Sequence, residues 1–155
     1  MEEGKDLIRV TDRMRALCSR REYCSADILK KAMSALDGDR ARAETVVAKL
    51  IDEKYIDDLR YSSAFARDKS SIAGWGETKI RYMLSAKGID RAVITAALEE
   101  IDQKKADDRL VKLIENKKRS LKDDPQARMK LLRFALGRGY TYDEIFDVLK
   151  DYEEL

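Results

Sequence analysis

Basic side chains crowd into the stretch from Arg109 to Arg138, and their chemistry suits recognition rather than bond breaking. Ten basic residues stand there against three acidic ones, whereas six acidic residues between Asp143 and Glu154 face a single basic one. Guanidinium and ammonium groups bind phosphate oxygens and carboxylates. A charge distribution this polarised can orient a partner although the net charge is only +2. The competing interpretation is a solvated helix face with local ion pairs.

Residues for catalysis do not stand out in this sequence. The chain contains no histidine, which removes imidazole bases, Ser-His and Cys-His pairs and histidine metal sites. Its carboxylates are scattered over faces rich in lysine and arginine rather than set in apolar surroundings, as acid–base catalysis requires. Gly74-Trp75-Gly76 lacks the further glycine, lysine and strand of a phosphate-binding loop, so it predicts a sharp corner that Trp75 partly covers. We predict no enzymatic activity, no metal and no cofactor.

The two cysteines and the N-terminus bear on the cellular compartment. Cys18 and Cys24 fit no common zinc spacing, and we predict buried or half-buried thiols rather than metal ligands or a disulfide. The N-terminus is charged without an apolar core segment, and no window approaches the ~18 apolar residues of a membrane span. We therefore expect a cytoplasmic protein without membrane contact.

Apolar residues recur at helical spacing along almost the whole chain, and no alternating strand pattern is convincing. The pattern predicts an all-α protein of nine helices. Their predicted spans are roughly residues 5–21, 25–36, 42–54, 58–72, 76–87, 90–102, 106–121, 125–137 and 142–153.

Several helix ends have a chemical reason. Gly88 and Gly139 follow amphipathic segments and predict left-handed turns that stop a helix. The Thr141-x-x-Glu144 spacing predicts a capping box at the start of the last helix. Asp124 before Pro125 predicts an N-cap followed by a first helical residue without an amide proton. In the last helix pair we expect one apolar contact, made by Leu131, Phe134, Ala135, Ile145, Val148 and Leu149.

The chain repeats itself. Residues 80–89 and 131–140 share a helix that runs into a basic residue, a glycine and a large apolar residue, at a constant offset of 51 positions. A fainter third copy lies upstream, around Ile28 and Val46. The repeat predicts an elongated tandem array of three three-helix modules that resemble helix-turn-helix units, with boundaries at 1–56, 57–104 and 105–155.

The sequence resembles the RecX family of recombinase regulators over most of its length. The resemblance is carried by four segments: Arg20–Tyr23, Lys54–Tyr61, Gly76–Ile89 and Leu132–Ile145. Three positions depart from the family pattern. Lys54 stands where a glycine is usual and Gly137 where a basic residue is common, while Cys24 replaces a capping serine, so that Ser25 is expected to cap the helix instead.

The resemblance implies a protein that binds the RecA recombinase filament and usually inhibits its ATP hydrolysis, strand exchange and coprotease activity in DNA repair and the SOS response. It also implies a position in the filament groove, where single-stranded DNA is a further possible partner. Three modules with helices about 18–24 Å long would extend for about 60 Å, which is enough to touch more than one protomer of a polymer. We expect a monomer without a small-molecule substrate.

Charge and helix edges select the candidate contact residues of the second and third modules. They are Lys79, Arg81, Lys87, Arg91, Lys117, Lys118, Arg119, Lys130, Arg133 and Arg138. One alternative is a nucleic-acid-binding repeat protein without recombinase contact, which acidic residues on the supposed recognition helices disfavour. A second alternative is a helical scaffold with an unrelated partner.

Overall fold

The computed structural model describes residues 2–150, with side chains from residue 4 onward. Within that range the chain is helical, and no strand forms there. The helices are α1 (Glu2–Arg20), α2 (Ser25–Ala35), α3 (Arg40–Asp52), α4 (Asp58–Ser71), α5 (Glu77–Ala86), α6 (Arg91–Glu99), α7 (Gln103–Ser120), α8 (Ala127–Gly137) and α9 (Tyr142–Leu149). The predicted helices are confirmed with ends displaced by three residues or fewer, except that the predicted end at residue 153 lies outside the described residues.

Three separate hydrophobic cores confirm the tandem arrangement. The first is formed by α1 to α3 around Ile28 and Leu50, the second by α4 to α6 around Ile80 and Ile94, and the third by α7 to α9 around Leu131. Each helix triplet buries its apolar stripes mainly against its own partners, as repeat proteins do. The boundaries at 56/57 and 104/105 stay predictions.

Side-chain oxygens begin several of the helices. Asp39, Asp57 and Asp102 each accept a hydrogen bond from the third backbone amide of the helix that follows. Thr141 and Glu144 form the predicted capping box, with 3.2 Å from Glu144 N to Thr141 Oγ1 and 2.9 Å from Thr141 N to Glu144 Oε1. These bonds satisfy amides that a helix leaves unpaired at its start.

Glycines end α5 and α8 as predicted. Gly88 has φ +77° and Gly139 has φ +97°, in the region that side chains disfavour. Lys54 also has a positive φ, +65°, just after α3. A residue with a side chain pays about 1–2 kcal/mol for that conformation, which gives a physical reason for the glycine that the resembling family carries there.

The N-cap predicted at Asp124 is wrong. The helix α8 begins at Ala127, and Gln126 occupies the N-cap position without a side-chain cap. Asp124 instead closes a turn, because its Oδ1 accepts from Gln126 N at 2.8 Å while its Oδ2 accepts from Lys130 Nζ at 2.6 Å. An aspartate can bond the amide two residues ahead, and here this local turn takes the carboxylate before a helix can.

Two further predictions fail for a reason of packing. Ser25 does not cap α2, because its amide and its hydroxyl both donate to Asp58, at 2.7 and 2.6 Å. Phe134 is only half-buried and lies beside the third core rather than in it. The other five predicted residues of that apolar contact belong to the core or pack against it.

Candidate interaction surface

The middle helix of each of the first two modules begins against the glycine turn of the next module. At the second joint, between modules two and three, Gly76 N donates to Arg138 O at 2.7 Å and Thr78 N donates to Gly139 O at 3.0 Å. The free amides at the start of α5 are therefore capped by backbone carbonyls from the end of α8. The first joint has the same layout, since a β-carbon added to Gly88 would lie 3.7 Å from Ala26 Cβ, at the start of α2.

The second joint is closed by direct backbone contact. A β-carbon on Gly76 would lie 2.5 Å from the carbonyl carbon and oxygen of Gly139, so that only glycine fits. Arg138 Nη1 donates to Ala73 O at 3.2 Å, and the Tyr140 hydroxyl donates to Gly74 O at 3.1 Å. The Gly74-Trp75-Gly76 corner predicted from sequence is thus also a docking point for the third module.

The first joint is held by charged side chains instead. Besides the Ser25–Asp58 bonds, Arg60 Nε donates to Glu22 Oε1 at 2.7 Å, and Lys87 Nζ donates to Asp27 Oδ1 at 3.2 Å. The bonds to Glu22 and Asp27 raise the pKa of Arg60 and of Lys87 above their ordinary values. Lys87 and Arg138 hold equivalent positions in the repeat, and both reach back to the preceding module.

Two aromatic rings near the second joint have cations over them. Lys69 Nζ and Lys79 Nζ lie 4.8 and 4.4 Å from the centre of the Trp75 ring. In the third module, Phe134 has Lys117 Nζ and Arg138 Cζ each 5.1 Å from its ring centre. Cations at these distances are attracted to the ring face. Arg138 also donates to Ala73 O, two residues before Trp75, and this bond connects the two clusters.

Local contacts engage most of the ten candidate residues. Arg81 pairs with Glu77 at 3.1 Å and Lys130 pairs with Asp124 at 2.6 Å, while Lys87 belongs to the first joint. The bond from Lys130 lowers the pKa of Asp124. Lys79 lies over the Trp75 ring, and Lys117 and Arg138 lie over the Phe134 ring. Lys118 is half-buried and interacts with a neighbouring group.

Three candidates remain free to meet a partner. Arg91, Arg119 and Arg133 are exposed, and within residues 4–150 their side chains make no hydrogen bond or ion pair. The charge pattern of the sequence could not separate these three from the seven engaged residues, because pairing depends on which helices pack together. The charge pattern also did not select Lys69 and Phe134 as candidate contact residues. The signal that could have selected them is an aromatic residue with lysines close enough to lie over its ring.

The thiols lie as predicted. Cys18 is half-buried and Cys24 is buried, and both are free cysteines. Burial raises the pKa of both thiols, and that of Cys24 reaches about 11. Among the described residues no group of three metal-ligating side chains could hold an ion. None of the described helices has the length and apolar content to span a bilayer.

Comparison with known proteins follows the same modular division. A family model described as "RecX, second three-helix domain" matches residues 57–98, and another described as "RecX, third three-helix domain" matches residues 106–149. Together these matches span more than half of the chain. They coincide with the helices that form the second and third cores.

Curated relatives support the same family. The regulatory protein RecX of Clostridium botulinum (strain Eklund 17B / Type B) is 35% identical over 116 residues, covering 70% of this chain and 54% of that protein. The regulatory protein RecX of Bacillus mycoides (strain KBAB4) is 32% identical over 111 residues, covering 70% of this chain and 41% of that protein. The chain thus spans about half the length of the curated relatives that it matches.

A solved structure shares the fold. The crystal structure of RecX from Lactobacillus salivarius superposes with a TM-score of 0.87 at 23% sequence identity, covering 98% of this chain and 99% of that chain. The tandem three-helix modules and the family matches define a protein of the helical-repeat class. The chain belongs to the RecX family.

Proposed function

We propose that this chain binds the RecA recombinase filament and inhibits its ATP hydrolysis, strand exchange and coprotease activity in DNA repair and the SOS response. One observation carries the proposal: three separately cored bundles follow one another through joints of the same layout. A repeating array of this kind suits a repeating partner, because successive modules can meet successive protomers of a polymer.

Inhibition follows from binding more than one protomer at a time. A catalytic cycle in which neighbouring protomers shift needs two relative arrangements of similar free energy. A ligand that binds one arrangement better lowers the population of the other in proportion to that preference. An array that contacts two protomers acts as such a ligand without touching the bound nucleotide.

The free arginines are the proposed contacts. Arg91 lies at the start of α6, Arg119 near the end of α7 and Arg133 on α8, all on exposed faces. Their guanidinium groups form no hydrogen bond or ion pair within the described residues. A partner carboxylate or phosphate can therefore bind them without first breaking an internal bond. The engaged candidates, by contrast, would have to break an internal bond first.

Cosedimentation tests the partner. The chain is spun with RecA filaments on single-stranded DNA, and in parallel with the DNA alone. Recovery with filaments but not with DNA supports the proposal. Loss of the chain from both pellets would contradict it and leave a scaffold with an unrelated partner.

Charge reversal tests the contact residues. The double variant Arg119→Glu/Arg133→Glu should raise the concentration needed for half-maximal inhibition of the DNA-dependent ATPase by about fivefold or more. The matched control is Arg9→Glu/Arg13→Glu on α1, where both side chains are exposed. Equal loss in both double variants would indicate a general charge effect, and an unchanged inhibition curve would remove the third module from the contact.

Direct binding of single-stranded nucleic acid is the second candidate. The observation that favours it is the pair of aromatic rings, Trp75 and Phe134, that lie among lysines and arginines at the second joint. Bases stack on aromatic rings within basic surfaces. Recovery with DNA alone at low salt, falling steeply as salt rises, would favour this candidate over the first.

A further inference from the structure

An apolar groove opens on the outer side of the third module, between α8 and α9. It is an open depression of about 410 Å³, lined by Pro125, Gln126, Arg128, Met129, Leu132 and Phe146. Met129 is 55% exposed and Phe146 is 44% exposed, so large apolar surface faces solvent at this point. The neighbouring Tyr142 stacks on Phe146 with ring centres 6.1 Å apart and extends the apolar surface. Contiguous patches of this kind mark interaction sites more often than scattered apolar residues do.

The second module provides an internal control, because the apolar residues that α8 and α9 contribute to the groove have polar equivalents there. At the offset of 51 residues, Leu132 corresponds to Arg81 and Phe146 corresponds to Thr95. Arg81 Nη1 donates to Thr95 Oγ1 at 3.3 Å across the equivalent place. The module fold therefore also forms with a polar pair at these positions. Leu132 packs in part against the third core, whereas Phe146 is 44% exposed and does not belong to that core.

Charge at the rim differs between the modules in the same way. Glu77 of the second module pairs with Arg81 at 3.1 Å, whereas its equivalent in the third module is Arg128. Arg128 is exposed, and it makes no ion pair or hydrogen bond with the part of the chain from residue 4 to residue 150. An uncommitted cation thus stands beside an apolar floor, which complements a partner that carries a carboxylate next to an apolar side chain.

We propose that this groove binds an amphipathic helix of a recombinase protomer, with an apolar side chain in the groove and an acidic residue facing Arg128. The proposal rests on the function proposed above and names the part of the third module that anchors it. The groove between two helices matches the way in which a third helix packs. The stretch from Gln126 to Leu132 offers about 10 Å, or two turns of a partner helix.

The test grafts the residues of the second module onto the third. Met129→Thr/Phe146→Thr places the threonines of positions 78 and 95 in the groove, and the helical circular dichroism should stay unchanged. Affinity for RecA filaments on single-stranded DNA, measured by cosedimentation, should fall about tenfold or more because buried apolar anchors carry much of an interface's free energy. The matched control is Ile72→Thr, an 83% exposed residue outside the groove, which should bind as the wild type does.

Arg128→Glu tests the rim. This variant should weaken filament binding by about fivefold or more at low salt, and the difference should shrink at high salt. Filament binding that is unchanged in the groove variants while the wild type binds would overturn the groove and leave the proposed function standing. Failure of the wild type to bind would overturn both. A wild-type dimer that becomes monomeric in Met129→Thr/Phe146→Thr would assign the groove to a second copy of the chain and overturn the proposal.

Discussion

The two joints between modules share one layout but use different chemistry. The first joint is held by side chains, through polar bonds to Asp58, Asp27 and Glu22 and through Cys24 and Ala26, which pack into the second core. The second is held by backbone bonds to the start of α5 and by the contact of two glycines, Gly76 and Gly139. Ion pairs weaken with salt and tolerate small displacements, whereas close backbone contact does neither. We therefore expect the first joint to be adjustable and the second to be fixed.

This difference suits the proposed task. Modules two and three move as a unit if their joint is fixed by shape, and they contain the free arginines. Two bonds of the first joint, from Arg60 and from Lys87, are ion pairs that contribute only about 0–1 kcal/mol each, so they can break and reform as the first module meets a neighbouring protomer. The comparison is testable joint by joint.

Gly76→Ala should give the largest effect. The new methyl group would lie 2.5 Å from Gly139 backbone atoms and 2.7 Å from Tyr140 N, and these backbone atoms cannot yield as a flexible side chain does. We expect a loss of about 2–4 kcal/mol in the free energy of unfolding, measured by urea denaturation.

Gly137→Ala is the matched control for that change. Gly137 is the last residue of α8, and no atom lies within 4 Å of the β-carbon it would gain. Alanine there should raise stability by about 0.5–1 kcal/mol because glycine costs more conformational entropy in a helix. Similar destabilisation in both variants would contradict the special status of the second joint.

Asp58→Ala breaks the first joint. It removes the acceptor for both Ser25 N and Ser25 Oγ and leaves the start of α2 uncapped. We expect a loss of about 1–2 kcal/mol in the free energy of unfolding, measured by thermal or urea denaturation. Asp68→Ala on the exposed side of the same helix should change stability by less than about 0.5 kcal/mol. Equal effects would show that Asp58 acts only as a surface charge.

Cys24 reports on the first joint because it is buried in the core of the second module although it precedes α2 in the chain. Burial raises its pKa from 9.0 to about 11. The unfolded thiol ionises first as the pH rises, so the stability linked to this group is complete below pH 9 and is lost between pH 9 and about 11. Stability curves of the wild type should therefore fall more steeply than those of Cys24→Ala in that window. Parallel curves would contradict this burial.

The same thiol measures opening of the joint directly. Iodoacetamide at pH 8 should modify the half-buried Cys18 well before Cys24. In a Cys18→Ser background, Asp58→Ala should speed the modification of Cys24 about fivefold or more, whereas Asp68→Ala should leave it unchanged. A rate that does not respond to Asp58→Ala would show that the first joint does not cover the thiol.

Most local features of the fold were predictable from sequence, with the cap at Asp124 as an exception, whereas features between modules were not predictable. The capping box at Thr141 and the glycine stops at Gly88 and Gly139 need only neighbours along the chain, and all of them are present. The cap of α2 comes from Asp58, a residue 33 positions away in the next module. No pattern of local spacing indicates such a partner.

The candidate contact residues stay predictions, and the sequence could not rank them for a related reason. A lysine or arginine at a helix edge has the same sequence signal whether it faces solvent or a neighbouring module. Lys87 and Arg138 therefore seemed equivalent to Arg133, yet both are used inside the chain. Because these two residues hold equivalent positions in the repeat, substituting each of them compares the two joints directly.

Lys87→Met and Arg138→Met should respond differently to salt. Lys87 meets a carboxylate, and 45% of its side chain is exposed, so its removal should cost about 0.2–1 kcal/mol at low salt and almost nothing in 1 M NaCl. Arg138 donates to a carbonyl, so its removal should cost about 1–2 kcal/mol at both salt concentrations. The raised pKa of Lys87 also sets the direction of the pH dependence. The ion pair stabilises the folded state below pH 10.5, the ordinary pKa of lysine, and this stabilisation is lost as the pH rises through the higher pKa of the folded state. A salt-independent Lys87→Met effect would mean that the first joint is held by shape like the second, and the distinction between an adjustable and a fixed joint would fail.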